Sequence, residues 1–156
     1  MDVRAEILTL DREDVVAARI VIAATPEKIF AYLADPRSHA LFDGSSTIEG
    51  RISGPDRLHL GARFGMAMKI RVPYRITNEV IAFEDNRLIT WRHLMKWTWS
   101  YELVALGDGT TQVTETFDAS VCNKAQLWWV YKTDSLKRNP KWMAKSLVKL
   151  KALCEG

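Results

Sequence analysis

The hydrophobic pattern is most regular over the last eighteen residues, 139–156. Four apolar residues recur there at spacings of four, three and four: Met143, Leu147, Leu150 and Cys154. Three lysines fall on the opposite side of the same helical projection: Lys141, Lys145 and Lys149. Because Asn139 suits an N-cap and Pro140 suits the first helical position, the pattern predicts an amphipathic helix of about sixteen residues, roughly 24 Å long. Such a helix needs an apolar surface on which to bury its stripe.

The chain upstream of this helix alternates between apolar and polar residues in short segments bounded by turn-forming residues, which is typical of antiparallel β-strands. The predicted strands cover residues 15–24, 47–52, 61–72, 74–83, 87–95, 97–106 and 110–120. Gly107, Asp108 and Gly109 separate the last two of these strands and predict a tight hairpin. Residues 1–14 form a charged lead-in with an apolar patch at residues 7–10, which fits either an extra edge strand or a loose tail.

Two short helices are predicted directly after the first strand. Thr25 suits the N-cap of the first helix and Pro26 suits its first position. The apolar residues of this helix share one face: Ile29, Phe30 and Leu33. The second short helix is predicted over residues 37–42. Residues 123–137 contain an aromatic cluster that fits either a short helix or an ordered lid.

Composition and charge narrow the class of protein. With 156 residues and 47% hydrophobic side chains, the chain is expected to form a single domain, 1–156, with a substantial core. A formal charge of +3, from 22 basic and 19 acidic residues, is too small to predict a nucleic-acid partner. The chain has no apolar run of about 18 residues and no signal-like N-terminus, so we expect a soluble, cytoplasmic protein without an integral membrane segment. Cys122 and Cys154 stand without metal-ligand spacing, which predicts free thiols and no metal site.

The order of these elements resembles the START-like, helix-grip superfamily. The residues that carry the resemblance are Thr25-Pro26-Glu27, His39 with Asp43-Gly44-Ser45, the run from Trp99 through Gly109-Thr110 to Thr114-Glu115-Thr116, and residues 147–152. Within that superfamily the chain is most similar to bacterial SRPBCC proteins of the polyketide cyclase/dehydrase and lipid-transport type. The resemblance implies an α+β fold in which a curved antiparallel sheet of about six to seven strands wraps a long C-terminal helix. It also implies an apolar cavity between sheet and helix.

The period of two along a strand predicts which side chains face that helix. On the strand at residues 61–72, Phe64, Met66, Met68 and Ile70 share one face. Adding the other inward-facing strand positions and two residues of the helix gives a predicted ligand-binding set: Phe64, Met66, Met68, Trp91, His93, Trp97, Trp99, Tyr101, Glu115, Phe117, Met143 and Leu147. An ordinary packed core produces the same pattern. The family geometry favours a lined cavity, in which methionines adapt to the shape of a ligand.

Among the polar residues of this set, Glu115 is the strongest candidate for a chemical role. Its neighbours Val113 and Phe117 are predicted to face inward, which directs a carboxyl group into an apolar interior. Burying that group unpaired costs several kcal/mol, so it must find a partner, bind water or take up a proton. Three roles fit the position: a structural partner for Arg92, Tyr101 or a backbone group, an anchor for a ligand, or a general acid/base.

His93 is the one histidine at a predicted inward strand position, and it fits either a satisfied core residue or a partner of Glu115 in proton transfer. His39 and His59 fall in the second short helix and a loop, and they are interpreted as surface residues. Three further basic residues near the C-terminal helix are assigned, with its lysines, to a solvated face: Lys132, Lys137 and Arg138. The sequence contains no nucleophile elbow, phosphate loop or dinucleotide motif.

These observations favour non-catalytic binding or carriage of a small hydrophobic molecule, such as a lipid, a polyketide or an aromatic metabolite. A second hypothesis is a cyclase-like or dehydratase-like enzyme that uses Glu115 and, with less support, His93. A third is a structural or interaction module whose interior is filled with side chains. No cofactor is predicted, and the oligomeric state is left as monomer or homodimer.

Overall fold

The computed structural model describes residues 3–45, 48–69 and 72–156. Within these residues it has an α+β fold with eight strands and four α-helices. The strands are β1 (Glu6–Leu8), β2 (Val15–Ile22), β3 (Ile48–Ser53), β4 (Arg63–Lys69), β5 (Pro73–Glu84), β6 (Leu88–His93), β7 (Thr98–Ala105) and β8 (Thr111–Asp118). The helices are α1 (Pro26–Ala34), α2 (His39–Phe42), α3 (Lys124–Lys132) and α4 (Ser135–Glu155), and a 3₁₀ turn at Pro36–Ser38 precedes α2. The long terminal helix and the antiparallel sheet confirm the helix-grip prediction.

The strands form one antiparallel sheet in the order β1-β2-β8-β7-β6-β5-β4-β3. From β3 to β8, strands adjacent in sequence pair with each other, as short turns require. The hairpin at residues 107–109 joins β7 to β8 as predicted. Strand β1 adds an edge beyond the six to seven strands expected, and Arg19 pairs with Glu6 there at 2.7 Å. Parts of two predicted strands, including Thr47 and Ile70, lie outside the described residues.

Helix α4 buries the face that its sequence predicts. Its apolar stripe is fully enclosed: Met143, Leu147, Leu150 and Cys154. Lys141, Lys145 and Lys149 are exposed on the other side. The helix lies mainly against β2, with β1 and β8 on either side of it. Its C-terminal end is fixed by the Glu155 carboxylate, which accepts a hydrogen bond from the Ala23 amide at 2.7 Å.

Helix α4 begins earlier than predicted, because Asn139 is not its N-cap. The first turn forms at Asp134, whose carbonyl accepts hydrogen bonds from the Lys137 and Arg138 amides at 3.1 and 2.9 Å. Pro140 therefore lies inside the helix, where it cannot donate to the carbonyl four residues before it. Asn139 and Pro140 are both buried, so packing of the first turns outweighs the local preference for Pro140 at a helix start.

Helices α1 and α2 close one side of the sheet. The Thr25 side chain accepts a hydrogen bond from the Lys28 amide at 3.3 Å and so caps α1 as predicted. Three apolar residues anchor α1 in the core: Ile29, Phe30 and Leu33. After α2, Gly44 donates its amide hydrogen to Ser146 Oγ of α4 at 2.8 Å. A Cβ at position 44 would lie 2.2 Å from the Trp142 carbonyl oxygen, so this close approach needs glycine.

Of the two alternatives for the aromatic segment after β8, a short helix or an ordered lid, the structure has a helix over Lys124–Lys132. Helix α3 begins with a capping box, in which Asn123 and Gln126 exchange side-chain to backbone hydrogen bonds of 2.9 Å. Val130 faces the core, whereas Trp128 and Trp129 are largely exposed. None of the helices within the described residues is long and apolar enough to cross a membrane.

The buried face of α4 leads to a stability prediction. Leu147→Ala should lower the free energy of unfolding by about 2–5 kcal/mol, because it removes a large, fully enclosed side chain. Lys145→Ala, on the exposed face of the same helix, should change it by no more than about 0.5 kcal/mol. Urea denaturation followed by circular dichroism measures both, and equal losses would contradict the helix orientation.

Candidate functional site

A cavity of about 690 Å³ lies between the inner face of the sheet and helices α2, α3 and α4. Ten of the twelve predicted residues are among those that line it: Met66, Met68, Trp91, His93, Trp97, Trp99, Tyr101, Glu115, Phe117 and Met143. Phe64 and Leu147 instead lie in the packed core, with almost no exposed surface. Alternation along the strands predicted the inward face of the sheet, but not which inward residues meet another side chain and which meet open space.

The strand register arranges the lining in rows. His93 and Trp97 stack with ring centroids 4.5 Å apart and form the outermost of these rows. The next row contains Trp91, Trp99 and Phe117, which lie directly opposite one another on β6, β7 and β8. One row deeper, Tyr101 lies opposite Glu115. Since two residues advance a strand by about 6.6 Å, the Tyr101 row lies about 13 Å from the Trp97 row.

The cavity opens at the end marked by His93 and Trp97. Tyr74 and Trp129 belong to its lining and are 40% and 49% exposed. Met95, in the turn between β6 and β7, also belongs to this end. Its carbonyl oxygen accepts a hydrogen bond from the Cys122 thiol, with an S···O distance of 3.6 Å. The mouth is therefore formed by strand ends and by helix α3. The row of Tyr101 and Glu115 lies at the opposite, inner end of the cavity.

Glu115 is buried, with only 3% of its surface exposed. Its carboxyl group is hydrogen-bonded to the Tyr101 hydroxyl, while Oε2 has no partner within the described part of the chain. Burial raises the pKa of Glu115 to about 8; the Tyr101 hydrogen bond opposes that rise and the Asp43 charge adds to it. At neutral pH the carboxyl group is thus mostly protonated and able to donate a hydrogen bond.

His39 lies inside the protein, so its assignment to the surface was wrong. It is 3% exposed, and its Nε2–H donates to the Leu33 carbonyl at 2.9 Å. Its ring stacks on Trp91, with centroids 5.0 Å apart, and it lines the cavity. Desolvation lowers the pKa of His39 to about 4, so the ring is neutral at pH 7. The sequence signal for burial was its spacing of three from Phe42, which places both on one helical face.

His93 lines the mouth but is not adjacent to Glu115. Its Nδ1 accepts a hydrogen bond from the Met95 amide at 3.0 Å, which places the proton of the neutral ring on Nε2. Burial lowers the pKa of His93 to about 4. Because it lies two strands and two rows away from Glu115, no direct proton transfer connects the pair. His59 is exposed, as expected.

The sequence reasoning missed lining residues outside the sheet. Arg138 and Trp142 come from the first turns of α4, and Asp43 and Ser45 come from the segment after α2. Arg138 was assigned to a solvated face, yet it is half-buried and its guanidinium lies 4.4 Å from the centre of the Trp142 ring. Their spacing of four residues, on one helix face, was the available signal.

Metal chemistry has no structural support in this cavity. Across residues 3–45, 48–69 and 72–156, no group of three or more histidine, cysteine, aspartate or glutamate side chains is arranged to hold a metal ion. The polar groups of the lining are instead dispersed among aromatic and methionine side chains. This lining suits hydrophobic contact with a few directed hydrogen bonds.

Comparison with known proteins gives a family match over most of the chain. A family described as "Polyketide cyclase / dehydrase and lipid transport" matches residues 14–155. The uncharacterised protein Rv0088 of Mycobacterium tuberculosis is 38% identical over 138 residues, which are 86% of this chain. The chain spans 62% of the length of that relative.

Solved structures show the same fold at low sequence identity. Protein Ms6760 of Mycobacterium smegmatis superposes with a TM-score of 0.68 at 16% identity, over 96% of both chains. The polyketide-cyclase-like protein Cgl2372 of Corynebacterium glutamicum gives a TM-score of 0.61 at 20% identity, over 94% of both chains. The backbone arrangement is therefore shared while most side chains differ.

The raised pKa of Glu115 predicts that the unfolding free energies of wild type and Glu115→Gln differ by an amount that depends on pH. The folded state holds this proton up to about pH 8, whereas the unfolded chain loses it near its ordinary value of 4.5. The contribution of Glu115 to the unfolding free energy of wild type is therefore fully present below pH 4.5 and is lost as pH rises through 8. Glu115→Gln should match wild type near pH 4.5 and exceed it at pH 9, by on the order of a few kcal/mol.

Chemical denaturation from pH 4.5 to 9 measures this difference. Burial also lowers the pKa values of His39 and His93. Because both histidines are present in both proteins, their contributions to the unfolding free energy cancel in the comparison. A difference in unfolding free energy that stays constant over the whole range would show that Glu115 is ionised in the folded protein.

Proposed function

The chain belongs to the polyketide cyclase/dehydrase and lipid transport family, and on this premise we propose that it binds and carries one small hydrophobic molecule in its cavity. The proposed ligand is a lipid, a polyketide or an aromatic metabolite. The ten lining residues predicted from the sequence, together with His39 and Trp142, are proposed to contact it.

The observation that carries this proposal is the size and character of the cavity. A volume of about 690 Å³ falls within the roughly 300–1,000 Å³ of small-molecule sites. Its walls include the aromatic row of Trp91, Trp99 and Phe117 and the methionines Met66 and Met68. Open space of this size between well-packed elements lacks the contacts of a filled interior, and this weighs against a purely structural module. A hydrophobic ligand restores those contacts.

Glu115 and Tyr101 supply a directed polar contact at the inner end. A neutral carboxyl group donates one hydrogen bond through its O–H, and Oε2 lacks a partner within the described residues. Rotation of the carboxyl group about its last side-chain bond is soft, so that oxygen can turn towards a bound molecule. The group fits an uncharged ligand oxygen, such as a ketone or hydroxyl, while the charge of Asp43 disfavours an anion beside Glu115.

A cyclase-like or dehydratase-like enzyme is the second candidate. It is favoured by the same residue, because a carboxyl group whose pKa is about 8 exchanges its proton readily near neutral pH. Tyr101 would orient the carboxyl group, and His93 is too far away to take part directly. We favour the binder because the two histidines of the lining are engaged elsewhere: His39 donates to the Leu33 carbonyl and His93 accepts from the Met95 amide.

Binding is tested with two ligands that differ only in a carbonyl group, 2-acetylnaphthalene and 2-ethylnaphthalene. Replacing Glu115 by leucine should weaken binding of the ketone by about 1–3 kcal/mol, because a hydrogen bond inside a dry cavity is lost. The hydrocarbon should bind equally well or better. Equilibrium dialysis measures both affinities.

Glu102→Leu is the matched control for this experiment. Glu102 is the neighbour of Tyr101 on β7, and its side chain is exposed on the outer face of the sheet. It should leave both affinities unchanged. Failure of wild type to bind either naphthalene, or any fatty acid or sterol, would contradict the binding proposal. Equal loss of ketone and hydrocarbon binding in Glu115→Leu would contradict only the role of Glu115.

Catalysis is separated from binding by Glu115→Gln. This variant keeps a hydrogen-bond donor but cannot transfer a proton as a carboxyl group does. If the protein is an enzyme, turnover of a linear poly-β-ketone should fall by about a hundredfold or more while its binding persists. Product formation followed by mass spectrometry measures this, and unchanged turnover would rule out Glu115 as the general acid/base.

A further inference from the structure

Arg138 lies at the open end of the cavity, on the first turns of helix α4. Its guanidinium packs over Trp142, 4.4 Å from the ring centre. Its Nη2 donates to Ser135 Oγ at 3.3 Å, which is long for a hydrogen bond from a charged group. The charge of Arg138 also acts on Tyr74, which forms part of the mouth. The side chain is therefore held in a defined position beside the entrance.

The hydrogen-bonding capacity of Arg138 is not satisfied. Its Nε–H is buried and has no partner within the described residues. Among those residues no carboxylate lies within 4.0 Å of the guanidinium, although the charge of Asp134 acts on Arg138. Burial lowers the pKa of Arg138, but a guanidinium stays positive at any physiological pH. A half-buried cation with an orphaned donor is costly, and an anionic partner would remove that cost.

The guanidinium of Arg138 has five N–H donors, and among the described residues only Nη2 has a hydrogen-bond acceptor, Ser135 Oγ. Because Nε is buried, a ligand reaches the guanidinium through Nη1 and Nη2, whose N–H groups can bind a carboxylate through two hydrogen bonds. The long contact from Nη2 to Ser135 Oγ is a weak competitor for such a ligand. A phosphate dianion would call for both Arg138 and the exposed Arg75 at the mouth, whereas a carboxylate needs Arg138 alone.

The two ends of the cavity differ in polarity. The inner end holds the uncharged Glu115, the mouth holds Arg138 and the exposed Arg75, and the Asp43 carboxylate acts on groups at both ends. Between the two ends lie the aromatic rows. A hydrophobic molecule with one carboxylate would therefore enter with its uncharged end first and leave the carboxylate at the mouth.

We infer that the ligand is a hydrophobic carboxylic acid whose carboxylate is bound by the guanidinium of Arg138, with an uncharged oxygen or apolar end directed towards Glu115. This inference rests on the proposed binding function and narrows its ligand class. It assigns Arg138 as the residue that orients the ligand in the cavity.

Three probes with one shared body test the inference: 6-acetyl-2-naphthoic acid, its methyl ester and 6-acetyl-2-naphthyl phosphate. At pH 7, wild type should bind the acid at least tenfold more tightly than the ester, and more tightly than the phosphate. Arg138→Gln should weaken acid binding at least tenfold and change ester binding less than threefold. Arg138→Lys should recover part of the preference, because it restores the charge without the two-donor edge.

Lys141→Gln is the matched control, since it removes one positive charge from the exposed face of the same helix. It should leave the ratio of acid to ester affinity unchanged. Ester binding by Arg138→Gln also reports that the variant is folded. Should that variant fail to fold, Arg138→Lys decides the question, since a ratio of acid to ester affinity equal to that of wild type would overturn the role of the guanidinium.

The outcomes separate the inference from the proposed function. Equal binding of acid and ester by wild type, or an unchanged ratio in Arg138→Gln, would overturn the inference and leave the binding function standing. Tighter binding of the phosphate than of the acid would overturn the carboxylate assignment. Absence of binding by all three probes would count against the proposed function itself.

Discussion

The structure depends on a mismatch of width between one helix and one sheet. Strands lie about 4.8 Å apart, so the eight strands formed by the described residues span roughly 34 Å, whereas a helix with its side chains is only about 10 Å across. Helix α4 packs mainly on β2 and cannot also cover β4 to β7. Helices α1, α2 and α3 close the edges of the remaining face without filling it. The cavity is thus a consequence of the architecture, and Gly44 preserves it by letting the segment after α2 contact α4 directly.

Burial controls the chemistry of the polar groups around that space. Burial is the largest cause of the pKa shifts of His39, His93 and Glu115, and in each case it favours the uncharged form. At neutral pH the interior therefore carries hydrogen-bonding groups with little net charge. Arg138 is different, because a guanidinium does not lose its proton under these conditions. The site consequently combines an uncharged inner end with a positive mouth, and this polarity gives a bound molecule a direction.

The family and the structural relatives define this scaffold but leave its use open. Ms6760 superposes with a TM-score of 0.68 although only 16% of the aligned residues are identical. Such a backbone can be kept while the lining side chains change, since a fold does not determine an activity. The features of this chain that bear on its use are the Glu115–Tyr101 pair, the stacking of His39 on Trp91 and the Arg138 guanidinium, which all lie in the lining of one cavity.

The sequence by itself determined the elements and their buried faces. Spacings of three and four placed Met143 and Leu147 inside, alternation placed Glu115 inside, and Thr25-Pro26 marked the start of α1, because these signals are local. Tertiary structure alone decided that Leu147 lies in the packed core while Met143 belongs to the cavity wall, and that His39 and Arg138 also belong to that wall. Tertiary packing also makes α4 begin at Ser135, upstream of the local helix-start signal at Asn139 and Pro140. Periodicity is a local property, and it predicts which face of a helix or strand is buried. Which residues cover that face depends on contacts between residues far apart in the chain, such as Gly44 with Ser146.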